Sequence, residues 1–193
     1  MKDGNMDDIL KKSQHPTVFQ ELIEGTLPPS EKETLRLQDE AQLVVAAGVT
    51  TTGWALSTAA FHIINNPPIF RKLREELEQA LPDPTTKLSW TDLEKLPYLN
   101  GCVRESVRMS HPVSTRNPRL HSKPLLYKDW TIPPRTPISM NLVDIGNDER
   151  IFPRAKTFNP ERWMGNPKTE DGQSLERYFV VFGKGSRSCL GIK

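Results

Sequence analysis

Along the first half of the chain apolar residues recur at helical spacing, and prolines mark where that spacing stops. No proline falls between Pro29 and Pro67, and Ser30-Glu31-Lys32-Glu33 has the pattern of a capping box. One helix is therefore expected over residues 30–65, roughly 35 residues and about 50 Å long at 1.5 Å per residue. Globular helices average about 12 residues, so this length suits an element that crosses a larger body. Ile69, Phe70, Leu73, Leu77 and Leu81 share one face behind Pro67-Pro68, predicting a second helix that ends before Pro82. A third is predicted over residues 97–110, with Leu99, Cys102, Val103, Ser106 and Val107 as its inner stripe and Pro112 as its stop.

Beyond that point the helical period disappears. Nine of the 17 prolines lie between Pro112 and Pro167, which favours irregular chain and short strands. Leu125-Leu126-Tyr127 and Trp130-Thr131-Ile132 flank Lys128-Asp129 as a hairpin, residues 136–140 could add a strand, and residues 144–182 carry turn residues with little periodicity. The expected fold class is mainly α with a small β region. Residues 1–29 read as a polar lead-in, and residues 30–193 as one domain with no internal repeat.

Composition narrows the function. A chain of 193 residues with 26 basic and 24 acidic side chains has a net charge of +2, too weak a field to argue for nucleic acid or an anionic surface. The two cysteines, Cys102 and Cys189, stand far apart with only 4 histidines in the chain, which excludes a disulfide scaffold and the common zinc spacings. A reducing compartment follows. The longest purely apolar run, residues 43–49, is far short of the roughly 18 residues of a membrane span, and the start Met-Lys-Asp-Gly-Asn-Met-Asp-Asp is neither signal peptide nor anchor.

The sharpest chemical feature is the run Phe182-Gly183-Lys184-Gly185-Ser186-Arg187-Ser188-Cys189-Leu190-Gly191. Its glycines let the backbone approach a large flat ligand, and a nearby cation favours the thiolate, the form in which cysteine binds a metal. Taken alone, Cys189 reads more simply as a buried free cysteine, or its loop as a phosphate-type glycine loop. Three further patterns precede it. Glu105-Ser106-Val107-Arg108 places a carboxylate and a guanidinium on one helix face, where they can pair. Phe158-Asn159-Pro160-Glu161-Arg162-Trp163 follows, and Ala47-Gly48-Val49-Thr50-Thr51-Thr52 puts a glycine beside hydroxyls in mid-helix, where the hydrogen-bond ladder can open locally.

Together these resemble the cytochrome P-450 monooxygenases, in the order the family has them: the A-G-x-[D/E]-T-T segment, E-x-x-R, P-E-R-W and F-x-x-G-x-R-x-C-x-G. The resemblance covers the later portion of the family's chain, from just before the long helix to the cysteine loop, and implies the corresponding part of the mainly α P-450 fold. It implies haem b, iron protoporphyrin IX, held by Cys189 as iron ligand, with Phe182, Gly185, Arg187, Gly191 and Arg119 binding the cofactor. Arg119 and Arg187 would pair with its propionates, since guanidinium binds carboxylate bidentately. Arg116 lies in the same segment and is as readily an exposed loop residue. Glu105, Arg108 and Arg162 would form a buried structural triad behind the loop. Thr51, with Gly48 and Thr50, would serve dioxygen binding and proton delivery.

The activity so implied is insertion of one oxygen atom from O2 into a small hydrophobic substrate, with electrons from NADPH through NADPH-cytochrome P-450 reductase. The segments at residues 127–130 and 132–134 resemble fungal members that oxidise secondary metabolites. Full-length eukaryotic members are usually anchored to the endoplasmic reticulum membrane, whereas this chain shows no membrane anchor by sequence. It departs from the family at Thr50, usually a carboxylate, at Arg135, commonly glycine in a P-x-G-T turn, and at Arg154-Ala155. Two other readings stand beside this one. The first is a truncated P-450-like product without autonomous catalysis, and the second a helical interaction module built on residues 30–65. His62 and His111 read as structural, and Cys102 as core.

Overall fold

The computed structural model describes residues 17–83 and 85–192, so the start of the polar lead-in lies outside the described residues. The described chain is mainly helical with one small antiparallel sheet. By contacts it forms two compact units, Met1–Thr50 and Thr51–Lys193.

In the first unit, helix α1 (Val18–Glu24) is capped by the Thr17 hydroxyl, which accepts from the Gln20 N–H. The capping box expected at Ser30 does not form. Pro29–Lys32 is a single 3-10 turn, Glu33 is extended, and helix α2 (Thr34–Ile64) starts four residues later than expected. The side chains of this turn are engaged elsewhere: Lys32 Nζ donates to the carbonyls of Ile23 and Gly25 at 2.8 and 2.7 Å, and Glu31 pairs with Arg36. Lys32 thus satisfies carbonyls at the end of α1.

Helix α2 is α-helical throughout, and the Gly48-to-Thr52 stretch forms part of it without the local opening of the ladder that its composition permits. Its residues 51–64 belong to the second unit. The helix has a mean hydropathy of 1.3 over an 18-residue window with none of that window buried, enough by length and composition to span a membrane. An average passes where uninterrupted apolar runs fall short, because glycine and threonine break a run while hardly lowering an average. The same composition suits a helix enclosed by protein.

The second unit is organised around helix α5. Helix α3 (Pro67–Ala80) turns Ile69, Leu73 and Leu77 inward and leaves Phe70 exposed. Helix α4 (Trp90–Leu93) carries the capping box at its start, between Ser89 and Asp92. Helix α5 (Pro97–Ser110) has the predicted ends, yet its buried face is Tyr98, Gly101, Cys102, Glu105, Ser106, Arg108 and Ser110, with Val103 exposed. Of the predicted stripe Cys102 and Ser106 are buried and Val103 is not, because the helix packs against partners that need charge and close approach rather than bulk. A Cβ on Gly101 would lie 2.5 Å from the carbonyl oxygen of Pro160, so only glycine lets the 3-10 turn Pro160–Trp163 approach.

Strands β1 (Leu125–Tyr127) and β2 (Trp130–Ile132) pair antiparallel with Tyr127 opposite Trp130, and Lys128 takes the positive φ of 53° that the turn requires. The strand expected at residues 136–140 shrinks to one bridge between Ile138 and Arg119. Past helix α6 (Leu142–Gly146), Phe152, Ala155 and Leu175 form a small core with Ile151, Trp163 and Tyr178 packed on it. The 3-10 turn Leu175–Tyr178 leads from that core into the cysteine loop.

Candidate functional site

Glu105 is the most enclosed ion in the second unit, 0% exposed, and every polar group around it is a donor. Arg108, three residues on and therefore on the same helix face, meets it with two hydrogen bonds, Nε at 2.9 Å and a terminal nitrogen at 2.8 Å. Arg162 Nε lies at 3.3 Å, the Asn159 N–H at 3.1 Å and Trp163 Nε1 at 2.9 Å. Burial alone would push this carboxyl up. The hydrogen bonds and charge of Arg108, then the charge of Arg162 and the Asn159 N–H, outweigh it and hold the carboxyl below its ordinary range.

The two arginines spend their remaining donors on backbone carbonyls. Arg108 donates to Gly146 and Ala155 at 2.6 and 2.7 Å, and Arg162 to Pro153 and Arg154 at 2.7 and 3.2 Å. One carboxylate thus ties helix α5, the end of α6 and residues 153–163 together. Trp163 and Asn159 were not singled out by sequence. The usable signal was position, since both flank Arg162 in the same segment.

From Trp163 the contacts lead to the loop. Its ring meets Phe179 edge-on at 5.2 Å, and Phe179 meets Phe182 edge-on at 6.1 Å. The Phe182 carbonyl accepts the Cys189 N–H at 2.8 Å, closing the loop over residues 182–189. Inside it, Gly183 and Gly185 have φ of 70° and 77°, a backbone that other residues adopt only with strain. The Ser188 N–H returns to Gly185, and Lys184 Nζ donates to the Arg177 carbonyl. The Cys189 thiol is exposed at the surface of this loop, while Cys102 is buried and its thiol is pushed up to about 12 by burial.

Around Cys189, Phe182 is half-buried, Arg187 exposed, and Gly191 lies so that a Cβ there would be 3.9 Å from the sulfur. A Cβ on Gly185 would meet nothing within 4 Å. The donor set fits a haem: one soft, accessible sulfur, glycine backbone beside it that leaves space for a flat ring, and an exposed guanidinium able to meet a carboxylate. Arg119 is also exposed, held through its backbone by the bridge to Ile138, and Arg116 is exposed nearby in the chain. Thr51 is half-buried on α2, while Gly48 and Thr50 are exposed on the same helix in the first unit.

Two histidines border the triad. His62 stacks on Phe158 at 4.9 Å, with rings 7° from parallel, and burial lowers its pKa, followed by the opposed charges of Glu105 and Arg108. His111 takes the left-handed position that ends α5, with φ of 42°, and is lowered by burial and then by Arg108. Trp54 Nε1 donates to the Ser110 carbonyl at 2.6 Å, joining the second half of α2 to the end of α5.

The family model described as cytochrome P450 matches residues 6–193. Cytochrome P450 monooxygenase sdnE of Sordaria araneosa is 48% identical over 196 residues, covering 98% of this chain and 38% of the relative. Cytochrome P450 monooxygenase tpcC of Cochliobolus heterostrophus is 45% identical over 91% of this chain and 34% of its own length. N-acetyltryptophan 6-hydroxylase ivoC of Emericella nidulans is 44% identical over 91% of this chain and 35% of its own. The chain thus spans little more than a third of the length of the curated relatives it matches.

Proposed function

The chain belongs to the cytochrome P-450 family, and from that premise we propose that it serves a haem-thiolate monooxygenase that places one oxygen atom of O2 into an organic substrate. The observation that carries this reading is the accessible Cys189 thiol, on a glycine loop that hangs from the Phe182 carbonyl and is backed by the Glu105 network.

In this reading Cys189, as thiolate, holds the iron, and Arg187 and Arg119 hold the propionates. The bound haem supplies the activation of oxygen, with the thiolate favouring O–O cleavage. The chain's own work is positional. The backbone bond from Cys189 to Phe182 fixes the height of the sulfur, and the triad fixes the segments from which that loop springs. Thr51 is assigned proton delivery at Oγ1. Gly48 and Thr50 are assigned to the same task by resemblance alone, and Thr50 is a hydroxyl where the family usually has a carboxylate, so it supplies no proton of its own at neutral pH.

The electron donor in this proposal is NADPH through NADPH-cytochrome P-450 reductase. The substrate is a hydrophobic secondary metabolite, and the 6-hydroxylase name of the Emericella relative favours an aromatic ring. The test is turnover of N-acetyltryptophan and related aromatic compounds with haem, reductase, NADPH and isotope-labelled dioxygen. One labelled oxygen per product, lost in Cys189→Ala, is expected. Product that carries no label, or that persists in Cys189→Ala, contradicts the proposal.

A further inference from the structure

Arg104 stands next to Glu105 in the sequence but points to a different task. Its Nε donates to Asn100 Oδ1 at 2.8 Å, a terminal nitrogen pairs with Glu176, and the guanidinium lies 5.9 Å from the centre of the Trp163 ring and 5.8 Å from that of Phe179. The side chain is about one-third exposed. It therefore touches the two rings through which the triad reaches the loop, and the turn Leu175–Tyr178 from which the loop departs. A guanidinium satisfies all of these at once: a Lys ammonium can pair with Glu176 or lie over one ring, but it has no planar fork with which to donate to Asn100 and cover two rings together.

We propose that Arg104 is a positioning residue for Cys189, acting through the Trp163, Phe179 and Phe182 rings to set the backbone bond that fixes the cysteine. This rests on the assignment of Cys189 as iron ligand only for its functional meaning. The geometry itself is a property of the chain without cofactor. With Arg104 in place, Phe179 has three neighbours, the guanidinium, the Trp163 ring and the Phe182 ring. Phe182 then keeps its carbonyl directed at the Cys189 N–H. Without it, Phe179 loses a neighbour and the loop opens more often.

The measurement is amide hydrogen exchange at Cys189, resolved by residue, on the full chain free of haem, so that failure here is distinct from failure to bind iron. Arg104→Gln and Phe179→Leu should each speed exchange of the Cys189 N–H by about five- to tenfold, the scale of one or two cation–π contacts, with the core amides of α5 unchanged. Arg104→Lys should remain as fast as Arg104→Gln, and Glu176→Gln should change little. The proposal is overturned by wild-type exchange at Cys189 in Arg104→Gln, by rescue with Lys, or by equal acceleration throughout α5, which would mark general loosening of the helix. Where Arg104→Gln does not fold, Phe179→Leu alone decides: unchanged exchange at Cys189 overturns the proposal.

Discussion

Glu105 illustrates at the scale of one residue why a buried charge here is structural. It accepts from four residues on two segments, α5 and residues 159–163, so removing the charge leaves Arg108 enclosed without its counter-ion. Glu105→Gln is expected to destabilise the chain by about 3–5 kcal/mol, measured by denaturant unfolding. The pH dependence has a definite sign. The folded-state pKa of Glu105 lies below its unfolded value, so this stabilisation is present above about pH 4.3 and is lost as pH falls through the folded value. His62, also lowered in the fold, adds a loss that begins earlier, as pH falls below about 6.5. Unfolding midpoints recorded across acid pH should therefore fall in two stages; His111, lowered by burial and Arg108, shares the upper one, so that stage should shrink in His62→Phe without vanishing. Arg135 is a different case: its φ of 59° explains why a glycine suits this turn, and Arg135→Gly should raise stability by about 1 kcal/mol in a thermal melt. Sequence alone supplied the pairing of Glu105 with Arg108 through their spacing. It did not supply the Trp163 or Asn159 donors, because a contact between segments more than fifty residues apart has no local pattern.

Helix α5 holds the account at the scale of elements. Its ends were legible because Pro97 and Pro112 act locally. Its buried face was legible only in part: Cys102 and Ser106 lie inward as the spacing predicts, but hydrophobic spacing cannot anticipate Glu105, Arg108 and a glycine pressed on a backbone carbonyl. Gly101→Ala should therefore cost about 1–3 kcal/mol, and more than Ala substitution at exposed Val103, by the same unfolding assay. The start of α5 is held from another element: Glu76 on α3 accepts from the N–H groups of Tyr98 and Leu99 at 2.8 and 2.7 Å, a carboxylate at the positive end of a helix. Glu76→Gln should lower stability by about 0.5–1 kcal/mol. The late start of α2 has the same lesson in reverse. The Ser30 motif was locally valid, but Lys32 and Glu31 found partners that favour a 3-10 turn.

At the scale of the whole molecule, four short motifs in the right order identified the family, since each marks a backbone or charge requirement that chance composition does not repeat. The cysteine loop was legible because its glycines and its cysteine are contiguous. Its suspension from the Trp163, Phe179 and Phe182 rings was not, because Trp163 lies outside the loop motif and Phe179 within no motif at all. The matched relatives are more than twice as long as this chain, and helix α2 is long, apolar on average and exposed. The proposed function requires that Cys189 bind haem iron as thiolate. Its most direct test is the difference spectrum of the reduced, carbon monoxide-bound protein after loading with haem, beside Cys189→Ser and Cys102→Ser. A thiolate-type band that survives in Cys102→Ser and vanishes in Cys189→Ser is the predicted result. Haem bound without that band, or a band indifferent to Cys189, would contradict the account.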